Sequence, residues 1–219
     1  GRFISTLLVY TQTPFKLATV AELNELKRDP ELPGNFFAPP VLFDQEDNIY
    51  LGQMPAIVMH LGVKLNLMPP QRLQSQALKV VLDCNDVLCE ITRDNGNRMW
   101  DLEAWKEFVG ENGRFTIWLQ LFENNAIRNG VSSETGWFLG TETPTIADFS
   151  IWATFKTMEK CLPLLSTFLR SNAPSILASC DRLTSSSPGL TNLLDESPDI
   201  YCGGLIEKSI REMVSSTNQ

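Results

Sequence analysis

The sequence contains one histidine and no cysteine pair in a C-x-x-C arrangement. Its five cysteines are widely scattered, which disfavours a disulfide framework, a zinc site and a thioredoxin-type dithiol and predicts buried structural thiols. They are Cys84, Cys89, Cys161, Cys180 and Cys202. The single histidine, His60, stands in an apolar helical stretch, so a Ser-His-Asp triad or a multi-histidine metal centre is hard to assemble. We therefore expect no metal site, and neither a hydrolase nor a metalloenzyme.

The sequence also lacks a long apolar run and an excess of basic residues. No stretch reaches the roughly 18 apolar residues of a membrane span. The chain has 18 Lys and Arg against 26 Asp and Glu, a net charge of −8, which disfavours nucleic acid as a partner. With 43% hydrophobic and 20% charged residues, the composition is typical of a soluble globular protein. We expect a reducing compartment, the cytosol or an organelle interior.

The type of secondary structure that the sequence predicts changes after about the first third of the chain. Residues 1–68 mix short helix and strand signals, whereas residues 70–212 give one helix signal after another. Leu67-Met68-Pro69-Pro70 is the predicted linker between two domains, and residues 213–219, rich in small polar side chains, are predicted to be a frayed tail. The predicted fold class is therefore α/β plus all-α.

The first domain is predicted to hold three helices and three strands. The first helix ends at Thr13-Pro14, because the residue before a proline is pushed out of the helical region. Phe15–Ala18 alternates apolar and polar residues, which predicts a half-buried strand. The remaining predicted elements are a helix over 21–27 that is broken by Asp29-Pro30, strands over 40–43 and 48–51, and a helix over 53–64.

Two features organise the second domain. A stripe of apolar residues at helical spacing predicts a long helix from Leu73 to Leu88, with Asp83 off the stripe. Thr145, followed three residues later by Asp148, has the pattern of a capping box, in which each side chain bonds a free backbone N–H of the other. We therefore expect a helix to begin directly after Thr145.

Three motifs, in this order and spacing, resemble the cytosolic glutathione transferase family. Ala38-Pro39-Pro40-Val41-Leu42 is similar to the family's Val-Pro-x-Leu element, whose proline is cis. Gln53-Met54-Pro55-Ala56-Ile57 is similar to the start of the helix that follows, and Trp137–Phe149 to the family's Phe-Leu-x-Gly…Ser/Thr-x-Ala-Asp capping box. The resemblance covers nearly the whole chain and implies a thioredoxin-like N-terminal domain followed by a helical C-terminal domain.

The resemblance also implies a site for glutathione, as substrate or ligand, with no further cofactor. Pro39, before the cis Pro40, is the residue whose backbone pairs with the peptide, and it keeps its carbonyl but has no N–H. The Gln53-Met54 corner opens a helix and is expected to face the γ-glutamyl carboxylate, although Met54 cannot donate as the family's Ser or Thr does. Asp83 corresponds to an acid that crosses to the other subunit in dimeric members; the alternative is a solvated acid.

The catalytic group is the part of the family pattern without a counterpart here. The family activates the thiol of glutathione with a Tyr, Ser or Cys placed just after the first strand, which lowers the thiol pKa by hydrogen bonding the thiolate. This sequence opens at Gly1 in apparent helix, so we expect the first strand and its catalytic loop to lie upstream of the given chain. Tyr10, at the far end of the first helix, is not expected to substitute. No catalytic residue is assigned.

Two functions follow from the resemblance. The first is a transferase-like protein with weak or no catalytic activity, which acts as a scaffold or accessory subunit, as a homodimer or in a larger assembly. The second is an active transferase, with its catalytic residue upstream, that joins glutathione to small apolar electrophiles. In the second, the aromatic residues Trp100, Trp105 and Phe115 would wall the acceptor site.

Overall fold

We describe a computed structural model of the chain, which covers residues 1–26, 28, 36, 38–196 and 200–215. The N-terminal part consists of three helices and a β-hairpin within these residues. In chain order they are α1 (Arg2–Tyr10), α2 (Val20–Leu26), β1 (Val41–Asp44), β2 (Ile49–Gly52) and α3 (Met54–Lys64). The predicted end of the second helix at Lys27 and its break at Asp29-Pro30 lie outside the described residues.

The regular secondary structure of the C-terminal part is all helical within the described residues. Its helices are α4 (Gln74–Ile91), α5 (Arg93–Gly96, a single turn with a left-handed backbone), α6 (Leu102–Phe108), α7 (Arg114–Arg128), α8 (Ile146–Ile151), α9 (Thr157–Cys161), α10 (Ser166–Asn172), α11 (Pro174–Ser185), α12 (Pro188–Asp195) and α13 (Leu205–Ser215). A π-helical turn, Trp152–Lys156, joins α8 to α9. The architecture is therefore a thioredoxin-like N-terminal domain followed by a helical C-terminal domain, as the sequence predicts.

The two strands form an antiparallel pair. Val41 pairs with Gly52 and Asp44 pairs with Ile49. The polar connection between the strands is exposed, and the rings of Phe43 and Tyr50 stack across the pair with centroids 4.3 Å apart. Cross-strand aromatic contacts of this kind stabilise a short ladder and hold its register.

The prediction of a strand over Phe15–Ala18 is wrong. This segment has no regular secondary structure, and Phe15 and Leu17 are 43% and 75% exposed. Alternation of apolar and polar residues favours a strand only where a neighbouring strand supplies hydrogen bonds and a covered face. In the part of the chain that the structure describes, β1 pairs only with β2, so Phe15–Ala18 has no ladder to join.

The core is continuous between the two parts. Helix α1 packs on α3, α8 and α12, and α4 packs on both α3 and α8. The largest fully buried side chains lie mostly in the helical part, among them Phe115, Phe122, Phe149, Trp152 and Phe155. The backbone N–H of Ile146 donates to the carbonyl of Leu67 at 3.0 Å, which ties the segment after α3 to the start of α8.

The last helix, α13, continues through Ser215, three residues beyond the predicted end of the helical domain. The rest of the predicted tail, residues 216–219, lies outside the described part of the chain. Among the described helices, none combines the length and apolar character that crossing a membrane requires. Cys84, Cys161 and Cys180 are buried, whereas Cys89 and Cys202 are partly exposed.

Candidate functional site

The hairpin brings the two predicted halves of the glutathione site together. Because Val41 pairs with Gly52, the next residues outward, Pro40 and Gln53, are neighbours at the same end of the ladder. The peptide bond between Pro39 and Pro40 is cis, and Pro39 is exposed. The Pro39 backbone and the start of α3 therefore border one corner of the protein.

Gln53 sets the entry into α3 with an unusual backbone. Its φ is +66° and its ψ is 113°, and the residue is exposed. A positive φ in a residue other than glycine is costly and occurs where the surrounding structure imposes it, often at ligand sites. The sequence analysis missed this feature, because no residue type in the Gln53-Met54 motif signals it.

The first turn of α3 presents free backbone donors. Ile57 makes the first intrahelical bond, to the carbonyl of Gln53 at 3.1 Å, so the N–H groups of Met54 and Ala56 have no helical partner. Pro55 has no N–H, and no side chain caps the turn. The helix dipole and these two N–H groups together make the corner attractive to a carboxylate.

The side chains at this corner supply fewer hydrogen-bond donors than the backbone does. Met54 is 8% exposed and belongs to the hydrophobic core, and its thioether cannot donate a hydrogen bond. Pro39 offers a carbonyl oxygen and no donor. The hydrogen-bond donors available at this corner are therefore the backbone N–H groups of α3 and the amide of Gln53.

Asp83 lies on α4 with a side chain that is 15% exposed. Its carboxylate is paired with Lys79, one turn earlier in the same helix. An i, i+4 pair of this kind neutralises the acid locally. A role for Asp83 across a subunit boundary stays a prediction.

Thr145 and Asp148 form the two reciprocal bonds of a capping box at the start of α8. Asp148 Oδ2 accepts the Thr145 N–H at 2.8 Å, and its Oδ1 accepts the N–H of Phe138 at 2.7 Å. Burial raises the pKa of the Asp148 carboxyl, against the opposing effect of these hydrogen bonds. The box is a structural device that joins the Trp137–Gly140 loop to α8.

A charged cluster that the sequence analysis missed lies where the hairpin meets α3. Asp44 Oδ2 is 2.8 Å from His60 Nε2, and Lys64 Nζ donates to both oxygens of Asp44 at 2.7 Å and to Asp47 at 3.0 Å. Hydrogen bonds from Lys64 and His60 hold the pKa of Asp44 well below its ordinary value. Asp44, Asp47 and His60 offer ligand atoms within 4.8 Å of one another, and the ammonium of Lys64 already forms ion pairs with both acids. The i, i+4 spacing of His60 and Lys64 is the signal that could have found it.

The three aromatic residues considered as walls of an acceptor site pack mainly into the protein. Trp105 and Phe115 are 5% and 0% exposed, and the rings of Trp100 and Trp105 meet edge to face at 5.2 Å. Trp100 borders a surface cleft, but charged side chains make up most of its lining. The prediction of an apolar acceptor site walled by these three residues is wrong, because their rings pack against one another and against the core.

The thiols and the tyrosine of α1 do not form a nucleophilic centre. Burial raises the pKa of the Cys84 and Cys180 thiols, which keeps them protonated. Tyr10 lies at the end of α1, with its ring 4.6 Å from that of Phe149. The described residues thus provide free backbone donors at the Gln53 corner and no activated nucleophile beside it.

Comparisons with known proteins agree with this architecture. A family model described as "Glutathione S-transferase, C-terminal domain" matches residues 76–213, more than half of the chain. A pi-class glutathione S-transferase from Onchocerca volvulus superposes with a TM-score of 0.69 at 17% identity, over 89% of this chain and 86% of that one. The structure named NaGST-2 gives a TM-score of 0.61 at 16% identity, over 91% of this chain and 92% of that one. No curated protein matches the chain in sequence.

Proposed function

This chain belongs to the glutathione S-transferase family, and we propose that it is a member with weak or no transferase activity that serves in a protein assembly. The observation that carries the proposal is Met54, whose buried thioether occupies the position where the resemblance implies a hydroxyl donor. Pro39 and Pro55 add to it, since each lacks the backbone N–H that other residues would have.

The losses at this corner are large enough to matter. A hydrogen bond to a charged group contributes roughly 1.5–3 kcal/mol, and a neutral one about 1 kcal/mol. Losing the hydroxyl at Met54 and the N–H at Pro39 therefore weakens glutathione binding by about two orders of magnitude. The backbone donors at the start of α3 remain, so weak binding of the γ-glutamyl carboxylate is retained.

Binding and turnover are tested together on the protein as its gene encodes it. We expect weak glutathione binding by isothermal titration calorimetry and little conjugation to a reactive aromatic halide. Met54→Ser restores a hydroxyl at the first position of α3 and tightens glutathione binding by about tenfold. Met59→Ser, a partly buried methionine in the same helix, serves as the control for destabilisation alone. Equal responses of the two variants would count against the role of Met54.

The second candidate function is an active transferase that joins glutathione to small apolar electrophiles. The strained Gln53 backbone and the free N–H groups of Met54 and Ala56 favour it, because they preserve an anion site. Ordinary turnover, abolished together with binding in Gln53→Ala, would establish this function and overturn the scaffold proposal. Failure to bind immobilised glutathione would exclude it.

The assembly part of the proposal rests on exposed apolar side chains of the hairpin. Phe43 is 39% exposed and stacks on Tyr50 on one face of the hairpin, and Ile49, also 39% exposed, lies on the other face. We propose that this hairpin contributes to a homodimer or to a larger assembly. Light scattering of the wild type and of Phe43→Ser tests it: a change to a smaller species supports the proposal, and an unchanged monomer in both contradicts it.

A further inference from the structure

The surface cleft beside Trp100 lies at the end of α4 that is far from residues 67–70. It has a volume of about 320 Å³, which falls at the lower end of small-molecule pockets. We refer to it as the arginine cleft. The residues that carry the argument are Glu90, Arg93, Asp94, Arg98, Trp100 and Arg114.

Arg93 is the unusual member of this set. Its guanidinium carbon lies 4.5 Å from the centroid of the Trp100 ring, so the two planar groups form a cation–π contact. Its Nε is buried without a hydrogen-bond partner, and no carboxylate of the described residues forms an ion pair with it. Trp100 is itself held in place, since its indole N–H donates to the carbonyl of Ile91 at 2.9 Å.

The other two arginines of the cleft are already neutralised. Arg114 forms an ion pair with Glu90, and its Nε lies 3.1 and 3.0 Å from the two carboxylate oxygens. The indole N–H of Trp118 also donates to Glu90. Arg98 pairs with Asp94, and that hydrogen bond lowers the pKa of Asp94. Among the residues that line the cleft there are three arginines and two acids, and Arg93 is the arginine without an ion pair to either acid.

The positive charge of Arg93 is opposite in sign to the net charge of the whole chain. The protein carries a net charge of −8, so a general attraction for anions is absent. A guanidinium without an ion pair in a concave site can recognise an oxyanion through its fork of N–H donors. Trp100 is 6% exposed and is covered by Arg93, so the cleft does not offer a free aromatic face for stacking.

The backbone at Arg93 is held in a costly conformation. Arg93, Asp94 and Asn95 have φ values of +51°, +60° and +58°, and Gly96 follows at +82°. The Thr92 hydroxyl accepts the Asn95 N–H at 3.3 Å, which helps to maintain this left-handed turn. Consecutive residues of this kind in a non-glycine stretch are rare, and here they position Arg93 over Trp100.

We propose that the arginine cleft is a binding site for one oxyanion group of a small molecule, a carboxylate or a phosphoryl group, with Arg93 as the primary donor. Arg98 and Arg114 assist from the rim, since each can share its N–H groups between its acid and the ligand. The site is separate from the Gln53 corner and does not depend on glutathione binding.

Calorimetric titration of the full chain with inorganic phosphate and, separately, with succinate tests the proposal. Saturation by phosphate alone identifies a phosphoryl ligand, and saturation by succinate alone identifies a carboxylate ligand; either result supports the site. Arg93→Gln should weaken binding by at least about tenfold, with the far-ultraviolet circular dichroism unchanged. Arg98→Gln provides a second variant, with a smaller loss, if Arg93→Gln does not fold.

The matched control is Arg128→Gln, an exposed arginine in the last turn of α7. It should bind both probes as the wild type does. Three results would overturn the proposal: no saturable binding of either anion, equal weakening in Arg93→Gln and Arg128→Gln, or equal competition by chloride at the same ionic strength. The last two would identify general screening of surface charge in place of a site.

Discussion

Gly62 of α3 lies directly against Ile146 of α8. A β-carbon placed on Gly62 would be 2.6 Å from the Ile146 Cγ2 atom and 2.8 Å from the Met68 sulfur. Ile146 is fully buried and cannot move aside without disturbing the core. The contact between the two domains at this point therefore requires the absence of a side chain.

Gly62→Ala tests this close approach. Alanine favours a helix over glycine by about 1 kcal/mol, whereas overpacking a core costs about 1–3 kcal/mol. We expect the second effect to exceed the first, with a net loss of about 1 kcal/mol in the free energy of unfolding by urea. The control is Val63→Ala at the next, 70% exposed position, which should change stability little. An increase in stability for Gly62→Ala would contradict the packing argument.

At Gln53, where φ is positive, we expect glycine to be favoured over alanine for its backbone alone. Glycine adopts φ near +66° without strain, whereas alanine is strained there as glutamine is. Gln53→Gly should be more stable than Gln53→Ala by about 1 kcal/mol, measured by urea denaturation. Ala56→Gly, three residues later in ordinary helix, should instead lose about 1 kcal/mol. Equal stability of Gln53→Gly and Gln53→Ala would show that Gln53 carries no strain.

Glu123 is a buried carboxylate that caps another helix. It is 7% exposed and accepts the Ser175 N–H at 3.0 Å and the Ile176 N–H at 3.2 Å, at the start of α11. Loss of a cap and of bonds to a charged acceptor predicts that Glu123→Ala lowers the free energy of unfolding by about 2–3 kcal/mol. Gln120→Ala, exposed on the same helix, is the control and should stay within about 0.5 kcal/mol of the wild type. A comparable loss of stability in both variants would show that the substitution acts on α7 itself and not on the cap of α11.

Local chemistry explains which parts of the fold could be predicted from the sequence. Proline and capping signals act within a few residues, and they located the hairpin, the start of α3 and the beginning of α8 after Thr145. The alternation in Phe15–Ala18 misled because a strand depends on a partner elsewhere in the chain. A sequence pattern describes one segment at a time, whereas strand pairing depends on two segments of the chain.

The same limit applies to the candidate sites. The motifs around Pro39 and Gln53 could be recognised, but the strain at Gln53 arises from the join between the hairpin and α3. The polar stretch that begins at Arg93 gives no sign of a left-handed turn, and its contact with Trp100 depends on how that turn folds back. Residues that act through a distant neighbour are therefore those that the sequence alone does not reveal.

An ion network on the helical domain predicts how stability depends on pH. Lys156 donates to Glu159 at 2.7 Å and to Asp181 at 2.6 Å, and Arg170 bridges the same two acids. Burial acts to raise the pKa of Glu159, but hydrogen bonds from Lys156 and Arg170 outweigh it and hold that pKa below the ordinary 4.5. The pKa of Asp181 is lowered against burial in the same way.

A carboxyl whose pKa is lower in the folded state stabilises the protein above its unfolded pKa, and this stabilisation is lost as the pH falls through the folded pKa. The free energy of unfolding in urea should thus decrease as the pH falls below about 5, and Glu159→Gln should reduce that decrease by about 1 kcal/mol. At pH 7 the variant should be less stable than the wild type, because Lys156 and Arg170 lose a charged acceptor. Glu142→Gln, at an exposed position with no ion pair in the described part of the chain, should keep the wild-type pH profile. An unchanged profile in Glu159→Gln would show that the network does not couple folding to protons.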